Sequence, residues 1–120
     1  LNQLELIKSD IFSNLSIHFK FDVIISNPPY ISEIDILKLE KDIKFYEPEH
    51  ALKAGKSGIE FYDKILLNAH DYLINEGLII FEIGINQFDN IIKLAENYNF
   101  KYQEHIYDYQ NIPRILILKK

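Results

Sequence analysis

Residues 21–30 read Phe21-Asp22-Val23-Ile24-Ile25-Ser26-Asn27-Pro28-Pro29-Tyr30. The run from Phe21 to Ser26 is nearly continuously apolar, the composition of a central parallel strand buried on both faces. It stops abruptly at Asn27-Pro28-Pro29, because two prolines remove two ladder donors and fix φ. Working outward, strand and helix signals alternate, which is an α/β pattern. Upstream, Leu4 to Ile7 reads as a short strand ending at Lys8-Ser9-Asp10. Downstream, Ser32 to about Glu40 reads as a short helix opened by a Ser N-cap, followed by an irregular stretch through Glu47-Pro48 to Gly55 and Gly58. From Ile59 to about Ile74, apolar residues recur at three- and four-residue steps (Ile59, Tyr62, Ile65, Leu66, Ala69, Leu73), the stripe of an amphipathic helix that Asn75-Glu76-Gly77 would terminate. Leu78 to Ile83 is a second buried strand, Asn86 to about Tyr98 a helix, and Lys101 to Tyr107 and Arg114 to Leu118 are strands close enough to pair antiparallel.

Bulk properties narrow the function. A chain of 120 residues with 48% apolar composition is the size of one globular domain and has ample material for a core. It has no cysteine, which excludes disulfides, thiolate nucleophiles and sulfur-ligated zinc and fits a reducing compartment. The apolar run around Leu78 to Phe81 is too short to span a bilayer, so a soluble, cytoplasmic protein is expected. The net charge of −5 carries no Lys/Arg stripe and offers no footprint for phosphate backbones. His18, His50, His70 and His105 lack metal spacing, and no metal is implied. Gly55 and Gly58 lack the context of a phosphate loop. Residue 1 is Leu and the chain contains no methionine, so a piece of something longer is expected.

The chemistry concentrates at Asn27-Pro28-Pro29-Tyr30, just beyond the carboxyl end of a buried strand, where open α/β sheets bind ligands. The plain alternative is a rigid turn that ends a strand. The functional reading has a mechanism. An amide or exocyclic amino nitrogen is a weak nucleophile because its lone pair is delocalised, so acceptors must orient it. The Asn27 side-chain oxygen and the Pro28 carbonyl can each accept one N–H and turn the remaining lobe toward an incoming methyl group. The Pro28-Pro29 step holds that carbonyl at a fixed angle. Tyr30 supplies a flat face for a planar amide or base and a π-system attractive to a sulfonium; the alternative for it is an ordinary core aromatic.

Asn-Pro-Pro-Tyr after Phe-Asp-Val-Ile-Ile-Ser resembles the amino-methyltransferase signature, shared by adenine-N6 DNA, guanine-N2 RNA and protein glutamine-N5 methyltransferases. Three further segments narrow the resemblance. Tyr46-Glu47-Pro48-Glu49-His50-Ala51-Leu52 with Gly58-Ile59-Glu60-Phe61-Tyr62 is similar to the stretch that follows the signature in HemK/PrmC-type release-factor glutamine methyltransferases. Phe81-Glu82-Ile83-Gly84 with Gln87 is similar to that family's fifth-strand motif. Asp108-Tyr109 followed by Arg114-Ile115-Leu116 is similar to its closing hairpin.

The resemblance implies methyl transfer from S-adenosylmethionine to the glutamine of the Gly-Gly-Gln loop of peptide chain release factors, with Asn27, Pro28, Pro29 and Tyr30 holding that glutamine. It also implies that Ser9-Asp10-Ile11-Phe12 lines the adenine pocket, with Asp10 toward the exocyclic amine and Ile11 or Phe12 against the ring, and that Asn27 sits between cofactor and substrate. The implied fold is a partial Rossmann-like methyltransferase fold: a mostly parallel sheet with a C-terminal antiparallel hairpin and the first two strands missing. This would make residues 1–120 the C-terminal part of a catalytic domain. Two rivals stand beside this reading, a nucleic acid amino-methyltransferase acting on an extruded base and a truncated, catalytically inactive remnant. Glu82 is a candidate to touch the pocket, or else a carboxylate hydrogen-bonded to loop amides.

The glycine-rich turn and the ribose-binding acidic residue of such folds are absent from these 120 residues. Phe21 to Ser26 should therefore present an unpaired apolar edge, and Leu4 to Ile7 should lack a partner. The isolated chain should bind S-adenosylmethionine weakly or not at all in titration calorimetry, and tight binding would overturn that expectation.

Overall fold

The computed structural model describes residues 3–29 and 58–120. Tyr30, the helix expected at Ser32 to Glu40 and the segment through Tyr46 to Leu52 and Gly55 lie outside the described residues.

Six elements follow in chain order: β1 (Phe21–Ser26), α1 (Glu60–Tyr72), β2 (Leu73–Glu82), α2 (Phe88–Asn97), β3 (Lys101–Tyr107) and β4 (Pro113–Lys119). They form a four-stranded sheet in the order β1-β2-β4-β3. The sheet is mixed. β1 runs parallel to β2, with Ile24 opposite Ile79 and Ser26 opposite Phe81. β4 pairs antiparallel with both β2 and β3, and β3–β4 is the hairpin expected from the sequence.

Strand pleating sends alternate residues to opposite faces. One face carries Ile79, Phe81, Leu116 and Leu118, all fully buried. Both helices cover that face. The stripe of α1 places Tyr62, Ile65, Leu66 and Ala69 in the same core cluster, and α2 adds Ile91 and Ala95. Tyr62 lies edge-on to Phe81 with ring centroids 5.1 Å apart, and its hydroxyl donates to the Glu82 carbonyl at 2.9 Å. The two helices are tied by the Tyr98 hydroxyl, which donates to Asp63 Oδ1 at 2.7 Å.

Three local expectations change. Leu4 to Ile7 is no strand: it pairs with nothing in the sheet, and Leu4 and Leu6 are exposed. β-Propensity without a ladder partner does not make a strand. β1 is not buried on both faces either: the helices pack on the face carrying Ile24, and on the opposite face Val23 is 41% and Ile25 74% exposed. Among the described residues β1 also lies at the edge of the sheet. Finally, α1 ends at Tyr72, and Leu73 passes directly into extended backbone (φ −99°, ψ 141°).

Gly77 is therefore no helix cap but a buried position within β2. A Cβ there would meet the Ile74 carbonyl at 3.0 Å, Leu73 Cδ2 at 3.1 Å and the Asp22 carbonyl at 3.3 Å. The sequence demands glycine because two backbone carbonyls approach it. The Gly77 carbonyl in turn accepts the Lys120 N–H at 2.9 Å.

Gly77→Val should destabilise the protein by about 1–3 kcal/mol through overpacking against backbone that cannot move aside, read as a lowered urea midpoint. The hydrogen bond to Asp63 holds the Tyr98 phenol above the usual tyrosine range. A raised folded value means this contribution is complete below the ordinary tyrosine pKa of about 10 and is lost as pH rises through the folded value. Across that alkaline window the urea midpoint of Tyr98→Phe should fall less than that of the unsubstituted protein.

Candidate functional site

The carboxyl end of β1 and the turn at residues 9–14 meet in one pocket. It has a volume of about 240 Å³, and its walls include Ile11, Phe12, Pro28, Pro29, Phe61 and Ile65. The two prolines expected to hold the substrate and Ile11 and Phe12, expected near the adenine, are separated by 16 positions or more in the sequence and line one concavity. Asp10 and Asn27 do not line it; both are solvent-exposed at its margin in sequence. Pro28 is buried and Pro29 half-buried.

The turn is built by its own short polar side chains. The Asn14 N–H donates to Ser9 Oγ at 2.9 Å, the Asp10 N–H to Ser13 Oγ at 3.1 Å, and the Ser13 N–H to the Asp10 carbonyl at 3.0 Å. The Asn14 amide also reaches the Lys8 carbonyl at 2.6 Å. Such side-chain bonds let the backbone leave regular structure without orphaning its donors. They hold Ile11 at φ 55°, a conformation that costs a β-branched residue about 1–3 kcal/mol. Ile11 forms part of the pocket wall.

Helix α1 forms the opposite wall. Phe61 and Ile65 face the pocket. Tyr72, at the far end of α1, stacks on Phe12 with ring centroids 4.6 Å apart, and its hydroxyl reaches the Phe12 and Leu15 carbonyls at 3.4 and 3.3 Å. Phe12 is therefore fixed before any ligand arrives. Periodicity placed Tyr62, Ile65 and Leu66 on the buried stripe of α1, but it carried no signal that Phe61, beside that stripe, turns toward Pro28 and Pro29.

The end of β2 has a separate clasp. Gln87 is buried; its Oε1 accepts the Gly84 N–H at 3.1 Å and its Nε2 donates to the Gly58 carbonyl at 3.0 Å. One side chain thereby joins the β2–α2 turn to the start of α1, where Gly58 takes φ 79°. Glu82 is absent from the pocket wall. Its carboxylate lies 3.8 Å from the Arg114 guanidinium, which also approaches Asp108 at 4.0 Å. Asp108 Oδ1 in turn accepts the N–H groups of Gln110 and Ile112, at 2.8 and 3.1 Å. The Asp108, Arg114 and Glu82 positions singled out in the sequence form one structural network closing the β3–β4 turn.

The pocket tests the implied methyl donor. Its apolar walls suit a flat heteroaromatic ring, but 240 Å³ falls below the roughly 300–1,000 Å³ of small-molecule sites. The described residues fit the adenine portion of S-adenosylmethionine and not the whole molecule.

No family model matches the chain. A release factor glutamine methyltransferase of Fusobacterium nucleatum is 39% identical over 123 residues, covering 100% of this chain and 35% of that protein. The chain resembles the release factor glutamine methyltransferases. A ribosomal protein uL3 glutamine methyltransferase of Francisella tularensis is 39% identical over 87 residues, covering 72% of this chain and 27% of that protein. The chain spans about a third of the length of the release factor glutamine methyltransferases it matches. A crystal structure of a methyltransferase from Pyrococcus furiosus superposes with a TM-score of 0.59 at 22% identity, over 86% of this chain and 42% of that one. At that identity the likeness speaks for the fold: the mixed sheet and its helices are part of a Rossmann-like methyltransferase fold.

Gln87→Ala should leave the Gly84 N–H and the Gly58 carbonyl without their side-chain partner in a buried setting, at a cost of roughly 2–4 kcal/mol for the two groups. Urea denaturation reads the loss, and a midpoint equal to that of the unsubstituted protein would show that the clasp does not hold the turn.

Proposed function

We propose that the protein carrying this chain is a cytoplasmic methyltransferase that transfers a methyl group from S-adenosylmethionine to the side-chain nitrogen of the Gly-Gly-Gln glutamine in peptide chain release factors. Residues 1–120 are, on this reading, the C-terminal part of its catalytic domain. The single observation that supports it best is the shared pocket in which Ile11 and Phe12 face Pro28 and Pro29 at the carboxyl end of β1. The similarity to release factor glutamine methyltransferases along the chain supports the choice of substrate. Among the described residues, no helix is long and apolar enough to cross a membrane.

The roles follow from the chemistry of an amide. The Asn27 side-chain oxygen and the Pro28 carbonyl accept the two N–H groups of the glutamine side chain, which fixes its plane and turns the nitrogen's lone-pair lobe outward. The stiffness of Pro28-Pro29 keeps the acceptors in place without reorganisation as charge develops. Tyr30 would supply a flat face for the amide. Ile11 or Phe12 would lie against the adenine ring, and Asp10 would be directed toward its exocyclic amine. When bound, S-adenosylmethionine supplies a methyl group on a sulfonium. The nitrogen gains that methyl and loses one proton, which leaves toward solvent, while the donor departs as a neutral thioether.

A second reading, a ribosomal protein glutamine as the acceptor, is favoured by the similarity to a uL3 glutamine methyltransferase. The full-length protein should be given labelled S-adenosylmethionine with release factor, ribosomal protein, DNA or RNA. Label in release factor is the expected outcome, and label confined to any other substrate overturns the assignment. Asn27→Ala should lower kcat/KM for release factor by about 100-fold or more, the scale of losing one preorganised polar contact at the reacting group, while leaving the protein folded.

A further inference from the structure

A second pocket, of about 550 Å³, opens at the carboxyl end of β2 and is roofed by the β3–β4 turn. Ile85, Asn86, Phe88 and Asp89 line it from the β2–α2 side, and Asn111 and Ile112 from the turn. Resting on the reading of a glutamine-bearing polypeptide substrate, we infer that this groove receives the extended chain about three residues from the methylated glutamine.

The sheet sets the distance. β1 and β2 are parallel, so the Pro28-Pro29 step and this groove lie at the same end of the sheet. β4, which leads out of the turn, is the second strand from β1. Two strand spacings are about 10 Å, and an extended residue spans up to about 3.3–3.6 Å. Three residues bridge the gap.

The walls suit a peptide backbone. Each peptide unit offers one donor and one acceptor, and each asparagine amide offers both in return. Asn86 and Asn111 are exposed, and both take positive φ, 63° and 59°, which sets them at tight turns on opposite sides of the groove. Phe88 and Ile112 form an apolar floor, and Ile85 stands exposed at the rim.

Charge argues against a nucleic acid strand. The described lining residues include no Lys or Arg, and their one ionised side chain is Asp89 in the first turn of α2. There the carboxylate offsets the positive end of the helix, so a phosphate would meet a negative charge. A basic side chain on the substrate is favoured instead. The Gln87 clasp also couples the two pockets, since it joins Gly84, on the wall of this groove, to the start of α1, which carries Phe61.

The test uses the full-length protein with two peptides containing the glutamine, one of about ten residues and one truncated to its immediate neighbours. Ile85→Glu should cut the preference for the long peptide over the short one, as a ratio of kcat/KM, by about tenfold. Asp89→Lys, also at an exposed position, should reverse a preference for lysine over glutamate placed three residues from the glutamine, scanned on both sides. If release factor and peptides are methylated but neither ratio moves, the groove inference fails while the proposed function stands. Label appearing in nucleic acid, or in no substrate at all, overturns both.

Discussion

Parallel pairing of β1 with β2 is the constraint on which the rest of the molecule depends. Parallel neighbours cannot be joined by a tight turn; they need a crossover of a dozen residues or more, and here, among the described residues, the chain leaves β1 at Ser26 and next enters the sheet at Leu73. Because the two strands point the same way, their carboxyl ends open on the same side, and the breaks at Asn27-Pro28 and Ile83-Gly84 fall at nearly the same level. Had β2 run the other way, Pro28 would face the start of a strand, and the two concavities would lie at opposite ends of the sheet.

Helix α1 turns that geometry into a site. Its buried stripe is spent on the sheet, through Tyr62 on Phe81 and through Ile65, Leu66 and Ala69 in the core. Its flank and ends do the local work: Phe61 walls the pocket, Tyr72 stacks on Phe12, and Gly58 at its start takes the Gln87 amide. One rigid element therefore references the turn at residues 9–14, the end of β1 and the β2–α2 turn to a common frame.

What the sequence made legible follows from how local each signal is. The run Phe21 to Ser26 matches β1 to the residue, because prolines end strands through their own covalent structure. The hairpin of β3 and β4 was readable since its strands are close in the chain. The stretch Leu4 to Ile7 misled because propensity says nothing about whether a partner strand exists. Gly77 misled because a glycine after a helical stripe usually caps the helix, whereas this one is crowded by the Ile74 carbonyl within its own strand and by the carbonyl of Asp22, 55 positions away. Of the candidate residues, Asp10 and Asn27 stand outside the pocket wall, while Ile11, Pro28 and Pro29 line one pocket. The α1 residues facing them went unseen, since helical period identifies a buried stripe but not what the flank beside it meets.

The direct passage from Tyr72 into Leu73 bears on how the chain can change length. With no connecting residues, an insertion at this junction would turn the end of α1 by about 100° and carry Leu73 to the other face of the sheet, parting Tyr72 from Phe12 and Leu73 from the core in one step. The exposed residues Asn75 and Glu76 lie where the β1–β2 register is interrupted and have slack of their own. Descendants of this sequence are free to grow or shrink there, while the seam between α1 and β2 holds its length.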